Sequence, residues 1–398
     1  MLIDNNFFDT DMKKNSMAVV LPVLFGFLAM GFIDMIGLVT NYVKADFNMS
    51  DSLVNMISLS CFFWFLILSI PVGAALTKWG RKKMVLVSLI IHLIALVLAY
   101  AAYSFTTVLV AFSLIGIGNT ILQVGLNPLV TDVVTGDKVT STITFGQATK
   151  ALGSIVAPFI AMWTAVSLGH WQLLFPIYAF LSLIGLVWLY LAPIEEAPAG
   201  SKNVSFKSTF ELLKDGYIVA LFIGILVLVG ADVAVNMTLP KLMTDQFGLS
   251  PEKASLCNSL YFASRTIAAF AGGAILMKCA DTKFFSISSL IAMLGLVMIV
   301  ALGKTDIAIV LASVCIFGIG YANLFGIVFS KAMAHVPEKA NEVSSLLVVG
   351  LVGGAILPPI LGWISDTTGS QLAAVGVVGI VWIYMIWLAI RIKKASKA

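Results

Sequence analysis

The chain is 398 residues long, 60% hydrophobic and 11% charged, with a net charge of +4. A soluble domain carries about 25% charged residues, so this composition reads as an integral membrane protein, and a charge this small gives no case for binding nucleic acid. The four cysteines, Cys61, Cys257, Cys279 and Cys315, are scattered, with no CxxC spacing and no His/Cys cluster to indicate a zinc site or a disulfide framework.

The N-terminal segment MLIDNNFFDTDMKKNS lacks the basic start of a signal peptide, so the first apolar stretch is expected to stay in place as a span. Crossing a bilayer takes about 20 apolar residues. Twelve such stretches follow, at 17–41, 53–77, 84–103, 107–131, 143–168, 171–191, 217–240, 253–279, 284–302, 305–333, 343–364 and 371–391. Their length and uniform apolarity exclude a β-barrel. The one long separator, APIEEAPAGSKNVSFKSTFELLKD, concentrates Pro, Ser and charge. It divides the chain into an N-terminal bundle of six helices (1–191), a cytoplasmic linker (192–215) and a C-terminal bundle of six (216–398). With both termini in the cytoplasm, most Lys and Arg fall on the cytoplasmic side, and only Lys44, Lys241, Lys253 and Lys304 lie opposite. That bias is the expected one for an inner-membrane protein with this topology.

Polar residues inside the spans are the candidates for function, taken here in chain order. Asp34 lies deep in the first span, and Asn55 opens the second. Trp64 and Phe65 and the lone His92 read as packing residues. In the fourth span Asn119, Gln123 and Asn127 recur every fourth residue and share one face. An amide facing lipid would leave its donors and acceptors unpaired, so the column must face protein or water. It is either interhelical glue or, the reading preferred here, a stripe facing a solute, with Pro128 adding a kink. Gln147, Lys150 and Ser154 share a face of the fifth span; Asp232 and Asn236 do so in the seventh; Asn258, Tyr261 and Arg265 in the eighth; Asn323 is the lone amide of the tenth. Two acids and two bases so deep in spans should pair, and the expected pairs are Asp34 with Lys150 and Asp232 with Arg265. Trp163, Trp171, Trp188, Trp382 and Trp387 lie near span ends and read as interfacial anchors.

The halves match each other at an offset of 200: GAALTK (73–78) with GAILMK (273–278), and GSIVAPFIAMW (153–163) with GGAILPPILGW (353–363). Parallel repeats of this kind place a solute near mid-membrane between two bundles.

Twelve spans in two halves, with GAALTKWGRKK between the second and third, resemble the major facilitator superfamily. Gly73, Gly80, Arg81 and Lys82 fit its loop signature, while Thr77 stands where that signature has an acid. NPLVTDV (127–133) and FGQATKALGSIVAP (145–158) are similar to the fucose/glucose/galactose permease group of sugar–cation symporters. The resemblance implies an all-α fold of twelve transmembrane helices in two pseudo-symmetric bundles, working by alternating access. It also implies an acid at the position held here by Gln123, and an amide where Lys150 stands, so the proton carrier of that group is missing from helix 4.

No HExxH, GxSxG or P-loop motif is present, which argues against an enzyme and against ATP-driven transport. The expected function is a secondary symporter for a monosaccharide or related polar solute, neutral or acidic, because amides both donate and accept hydrogen bonds. Proton-coupled efflux of drugs is the alternative. Solute contacts are expected from Asn119, Gln123, Asn127, Gln147, Lys150, Asn236, Asn258, Tyr261, Arg265 and Asn323, with Asp34 or Asp232, Asp34 first, carrying the coupling ion, H+ or Na+. No metal or other cofactor is expected, the partners are the solute and the bilayer, and the chain is expected to be a monomer.

Overall fold

The computed structural model describes residues 16–134, 138–196, 206–276, 279–336 and 339–395. Residues 197–205 of the linker and Lys278, which closes the GAILMK repeat, therefore lie outside the described residues. Among the described residues there is no strand. The long helices in chain order are α1 (Met17–Phe47), α2 (Asp51–Leu76), α3 (Arg81–Ala101), α4 (Phe105–Val130), α5 (Phe145–Leu168) and α6 (Trp171–Leu191). The second set is α7 (Gly216–Phe247), α8 (Pro251–Leu276), α9 (Asp281–Leu302), α10 (Ile307–His335), α11 (Glu342–Thr368) and α12 (Gln371–Ala395). All except α8 are long and apolar enough to span a bilayer on composition alone. The exception has a chemical cause, since α8 spends one face on Asn258, Ser259, Tyr261, Ser264 and Arg265.

The twofold resemblance seen in sequence is present in the packing. In the first half α1 packs on α5, α2 and α3 on α4, and α3 on α6. The same pairs recur six helices later, α7 on α11, α8 and α9 on α10, and α9 on α12. Between halves α5 meets α8, α2 meets α11 and α1 meets α7. One pair of ion pairs follows the repeat with its charges inverted. Arg81 at the start of α3 bonds Asp132 at the end of the α4 helix at 2.6 Å, while Asp281 at the start of α9 bonds Lys331 near the end of α10 at 2.7 Å.

Two helices run past their predicted ends. α1 continues to Phe47 and α7 to Phe247, because their last turns leave the apolar layer but still pack on other helices. Lys44 and Lys241 therefore sit on helices rather than in loops, and Lys241 is only 2% exposed. Two of the expected interfacial tryptophans are likewise internal. Trp171 stacks on Tyr42 and donates to Asp46 at 2.8 Å, and Trp382 is fully buried and donates to the Ser289 carbonyl at 3.0 Å. Trp163, Trp188 and Trp387 do face outward.

α1 is interrupted in its middle. Its α-helical parts, Met17–Met30 and Ile36–Phe47, are joined by a 3-10 turn, Gly31–Met35. Both flanks of the break are pressed against other backbones. A Cβ on Gly31 would lie 2.3 Å from the Lys150 carbonyl oxygen of α5, and one on Gly37 would lie 2.3 Å from the Asn236 carbonyl oxygen of α7. Only glycine fits such approaches, and small residues are what let membrane helices close up in this way.

Candidate functional site

The break in α1 is the centre of the site. A 3-10 turn spoils the regular i to i−4 bonding and frees backbone carbonyls. Two side-chain amides from other helices take them: Asn119 of α4 donates to the Met30 carbonyl at 2.9 Å, and Asn236 of α7 donates to the Asp34 carbonyl at 3.0 Å. The break is thus held by one helix of each half, and it presents the side chain of Asp34 between them. The Asp34 carboxylate accepts the hydroxyl of Ser154 on α5 at 2.6 Å.

In the second half, Asp232 of α7 and Arg265 of α8 form an ion pair at 2.6 Å, as expected from the sequence. The hydroxyl of Tyr261 donates to the other oxygen of Asp232. The guanidinium also lies over the ring of Tyr321 on α10, 4.6 Å from its centroid, an arrangement that suits arginine's planar cation. Tyr261 in turn stacks on Phe317, which meets Trp382 edge-on, so the pair rests on a buried aromatic wall. Asn236, one turn along α7 from Asp232, is the residue that bonds the Asp34 carbonyl, so the two clusters meet where α1 packs on α7.

The remaining expected residues divide. Asp34, Asp232, Asn236, Tyr261 and Arg265 are brought together, with Ser154 of the polar face of α5 joining them and Tyr321 added by the structure. Lys150 lies one turn from Ser154 on α5 and is half-buried, but it does not pair with Asp34; the serine hydroxyl has that place. Gln147 lies a further turn along the same helix and is exposed. The amide column of α4 splits: Asn119 is buried glue, whereas Gln123 and Asn127 are half-buried, and the Asn127 Oδ1 has no partner among the described residues. Asn258 is buried within α8 beside Cys257, away from any described cross-helix bond. Asn323 ties the break in α10 to α8 by donating to the Ala268 carbonyl at 3.0 Å, again a structural bond.

A second polar cluster ties the halves at one end of the bundle. Asp51 at the start of α2 is buried and takes Lys44 at 3.0 Å, Lys241 of α7 at 3.1 Å and Ser365 of α11 at 2.8 Å, with Gln371 of α12 donating as well. Lys241 also donates to Asn55 at 2.6 Å, and the amide of Asn55 donates to the Pro358 carbonyl at 2.8 Å. Asp366 of α11 accepts the backbone N–H groups of Asp51 and Ser52 at 2.8 and 2.7 Å, a carboxylate set on the positive end of α2. Sequence reading passed over this cluster because its members sit at span ends, where charges are ordinary. The only hint was Asn55, just inside the predicted start of α2, with Lys241 one residue past the predicted end of α7.

At the opposite end the named ion pairs stay within one half. The loop after α2 turns at Gly80, whose φ of +90° needs glycine. Arg81 pairs with Asp132, and the carboxylate of Glu196, from beyond α6, accepts the backbone N–H groups of Arg81 and Lys82. An acid from the linker thereby sits at the start of α3, in a loop whose own acidic position is Thr77. Lys82 Nζ donates to the Ala192 carbonyl at 2.7 Å, while Gly73 has open space around it. Asp215, just before α7, accepts the N–H groups of Tyr217 and Ile218 and pairs with His335 at 2.9 Å. Burial pushes the Asp215 carboxyl up, but the His335 contact and the two N–H groups outweigh it and hold the group below the usual carboxylate value.

Comparison with known proteins agrees with this architecture. The model of the Major Facilitator Superfamily matches residues 23–350 and 221–398. A glucose/galactose transporter of Brucella abortus is 28% identical over 386 residues, covering 92% of each chain. A nitrite extrusion protein of Bacillus subtilis is 23% identical over 366 residues, covering 86% of this chain and 88% of its own. Among solved structures, the Escherichia coli fucose:proton symporter superposes with a TM-score of 0.67 at 18% identity, over 94% of this chain and 97% of its own. The match runs through both halves: the chain is a membrane transporter of the major facilitator superfamily.

Proposed function

We propose that this transporter is a symporter that takes up a monosaccharide or related polar solute, coupled to a proton carried by Asp34. The observation that carries the reading is the Asp34 carboxylate, presented at the break in α1 between the halves and bonded to a neutral serine rather than to a cation. Asp232 is tied to Arg265 and Tyr261, whereas the Asp34 carboxylate has Ser154 alone as its side-chain partner among the described residues.

The solute would lie between α1, α4 and α5 of one half and α7, α8 and α10 of the other. Gln123, Gln147 and Asn236 are the groups proposed to meet it, beside the fixed Asp232–Arg265 pair. The similarity to a glucose/galactose transporter and to a fucose:proton symporter supports a hydroxyl-rich solute. So does a centre furnished with amides, tyrosines and charge, which disfavours hydrophobic drugs. In an inner membrane with both termini cytoplasmic, the end tied by Asp51 and Lys241 would be the outer one.

The test is uptake of radiolabelled hexoses, sugar acids and nitrate into proteoliposomes, with proton and sodium gradients imposed separately. Proton-driven accumulation of a sugar is the expected result. Export of lipophilic cations, or accumulation of nitrate with no sugar transported, would overturn the reading.

A further inference from the structure

We infer that the solute is a sugar bearing a carboxylate, held by Lys150 while Asp34 carries the proton, so that transport moves no net charge. The inference rests on the symport reading above and names its substrate class.

Lys150 belongs to the inward face of α5. Gly146, Gly153, Ser154 and Ala157 on that face are buried, and the carbonyl of Lys150 itself backs onto Gly31 of the α1 break. Its ammonium is nonetheless without an ion pair or side-chain hydrogen bond among the described residues. Among the described residues the cations Arg265 and Lys241 are matched, by Asp232 and Asp51. A cation left alone inside a membrane helix is expensive unless it faces a watered cavity. The nearest candidate partner is Asp34, since Ser154 one turn along α5 bonds that carboxylate at 2.6 Å. Neighbours at i and i+4 lie about 6 Å apart, within the reach of a lysine stem, yet the serine holds the acid and the lysine stays free.

The charge balance then selects the solute. Asp232 and Arg265 cancel. Asp34 and Lys150 cancel at a distance while the site is empty. When Asp34 takes a proton, Lys150 is left as one uncompensated positive charge in the cavity, and one monovalent anion restores neutrality. A proton and a carboxylate enter together and leave together, so the loaded and the empty carrier both cross without net charge. A neutral hexose would leave the loaded site positive, and its uptake would respond to membrane potential. A single ammonium with Gln147 and Gln123 at hand suits a carboxylate on a polyol, because the amides serve the hydroxyl groups.

The deciding experiment uses the full chain in proteoliposomes, with galacturonate, gluconate and galactose as probes. A proton gradient and a potassium/valinomycin potential are applied independently. The expected result is proton-driven accumulation of a sugar acid at a rate that the potential leaves unchanged. Lys150→Gln should raise KM for that acid by at least about tenfold, the scale of one lost charge-assisted contact, and Lys150→Arg should restore most of it. Thermal unfolding of each variant checks folding, and the potential dependence of the unmutated chain stands as evidence by itself. Potential-driven accumulation of galactose, unaffected by Lys150→Gln, would overturn the inference while leaving the symport reading in place. Transport of none of the three sugars under any gradient would overturn both.

Discussion

The hydroxyl of Ser154 donates to the carboxylate of Asp34 at 2.6 Å, in the place where the charges alone would have put Lys150. This contact joins α5 to the broken middle of α1. It leaves one acid and one base of the interior uncommitted, while Asp232 and Arg265 are fully engaged with each other. The mechanism proposed here follows from that division: one pair is fixed architecture, and the other is available for cargo.

The fixed pair should behave as structure. Removing one partner of a buried ion pair costs about 3–5 kcal/mol because the other charge is left uncompensated. Arg265→Gln is expected to lower thermal stability strongly, and the double variant Asp232→Asn/Arg265→Gln should recover a large part of it. Unfolding temperatures in detergent check this. Equal losses in the single and double variants would show that the pair contributes little.

The close approach of α1 and α7 makes Gly37 sensitive. A methyl group there would sit 2.3 Å from a backbone oxygen that cannot move without shifting α7. Overpacking of this kind costs about 1–3 kcal/mol. Gly37→Ala should therefore reduce stability and transport together, whereas Gly73→Ala, at a position with open space, should leave stability within about 0.5 kcal/mol. Matching unfolding curves for the two variants would contradict the packing described.

The cluster around Asp51 holds one end shut. Lys241→Met keeps bulk but removes the ammonium that bridges Asp51 and Asn55 across the halves. The population should shift toward the form open at that end, by at least about tenfold if ~1.4 kcal/mol of the lost pairing appears as conformational preference. Spin-label distances between the ends of α1 and α7 at Phe47 and Phe247 would report it. An unchanged distance distribution would mean that the cluster is not what keeps this end closed.

A pH response separates the end that holds Asp215 from the proposed coupling site. Asp215 has its carboxyl lowered in the folded chain, so its contribution to stability is present above the unfolded value of about 4. It is lost only as pH falls through the lower folded value. The unfolding temperature of Asp215→Asn should approach that of the unmutated chain below about pH 4 and be lower at neutral pH. If transport of the unmutated chain changes between about pH 5 and 8, Asp215 is not the group responsible.

The twelve spans and the repeat were legible because apolar length and an offset of 200 leave strong marks in one dimension. The Asp232–Arg265 pair was legible because charges deep in a span must find partners. The column of α4 misled in part. Asn119 faces a carbonyl freed by the 3-10 turn in α1, and nothing in the sequence from Met30 to Met35 announces that turn except a glycine. Ser154 and Tyr321 were hard to single out for a related reason: hydroxyls are common in membrane helices, where most bond their own backbone. The Asp51 cluster depends on residues more than 300 positions apart, such as Asn55 and Pro358, a relationship that only the fold supplies.

The central claim is that Asp34 carries the proton, and Asp34→Asn tests it most directly. Asparagine keeps the size of the side chain and can still bond Ser154, but it cannot exchange a proton. In proteoliposomes the variant should lose proton-driven accumulation while still exchanging labelled for unlabelled solute across the membrane. Accumulation at the rate of the unmutated chain would contradict the account.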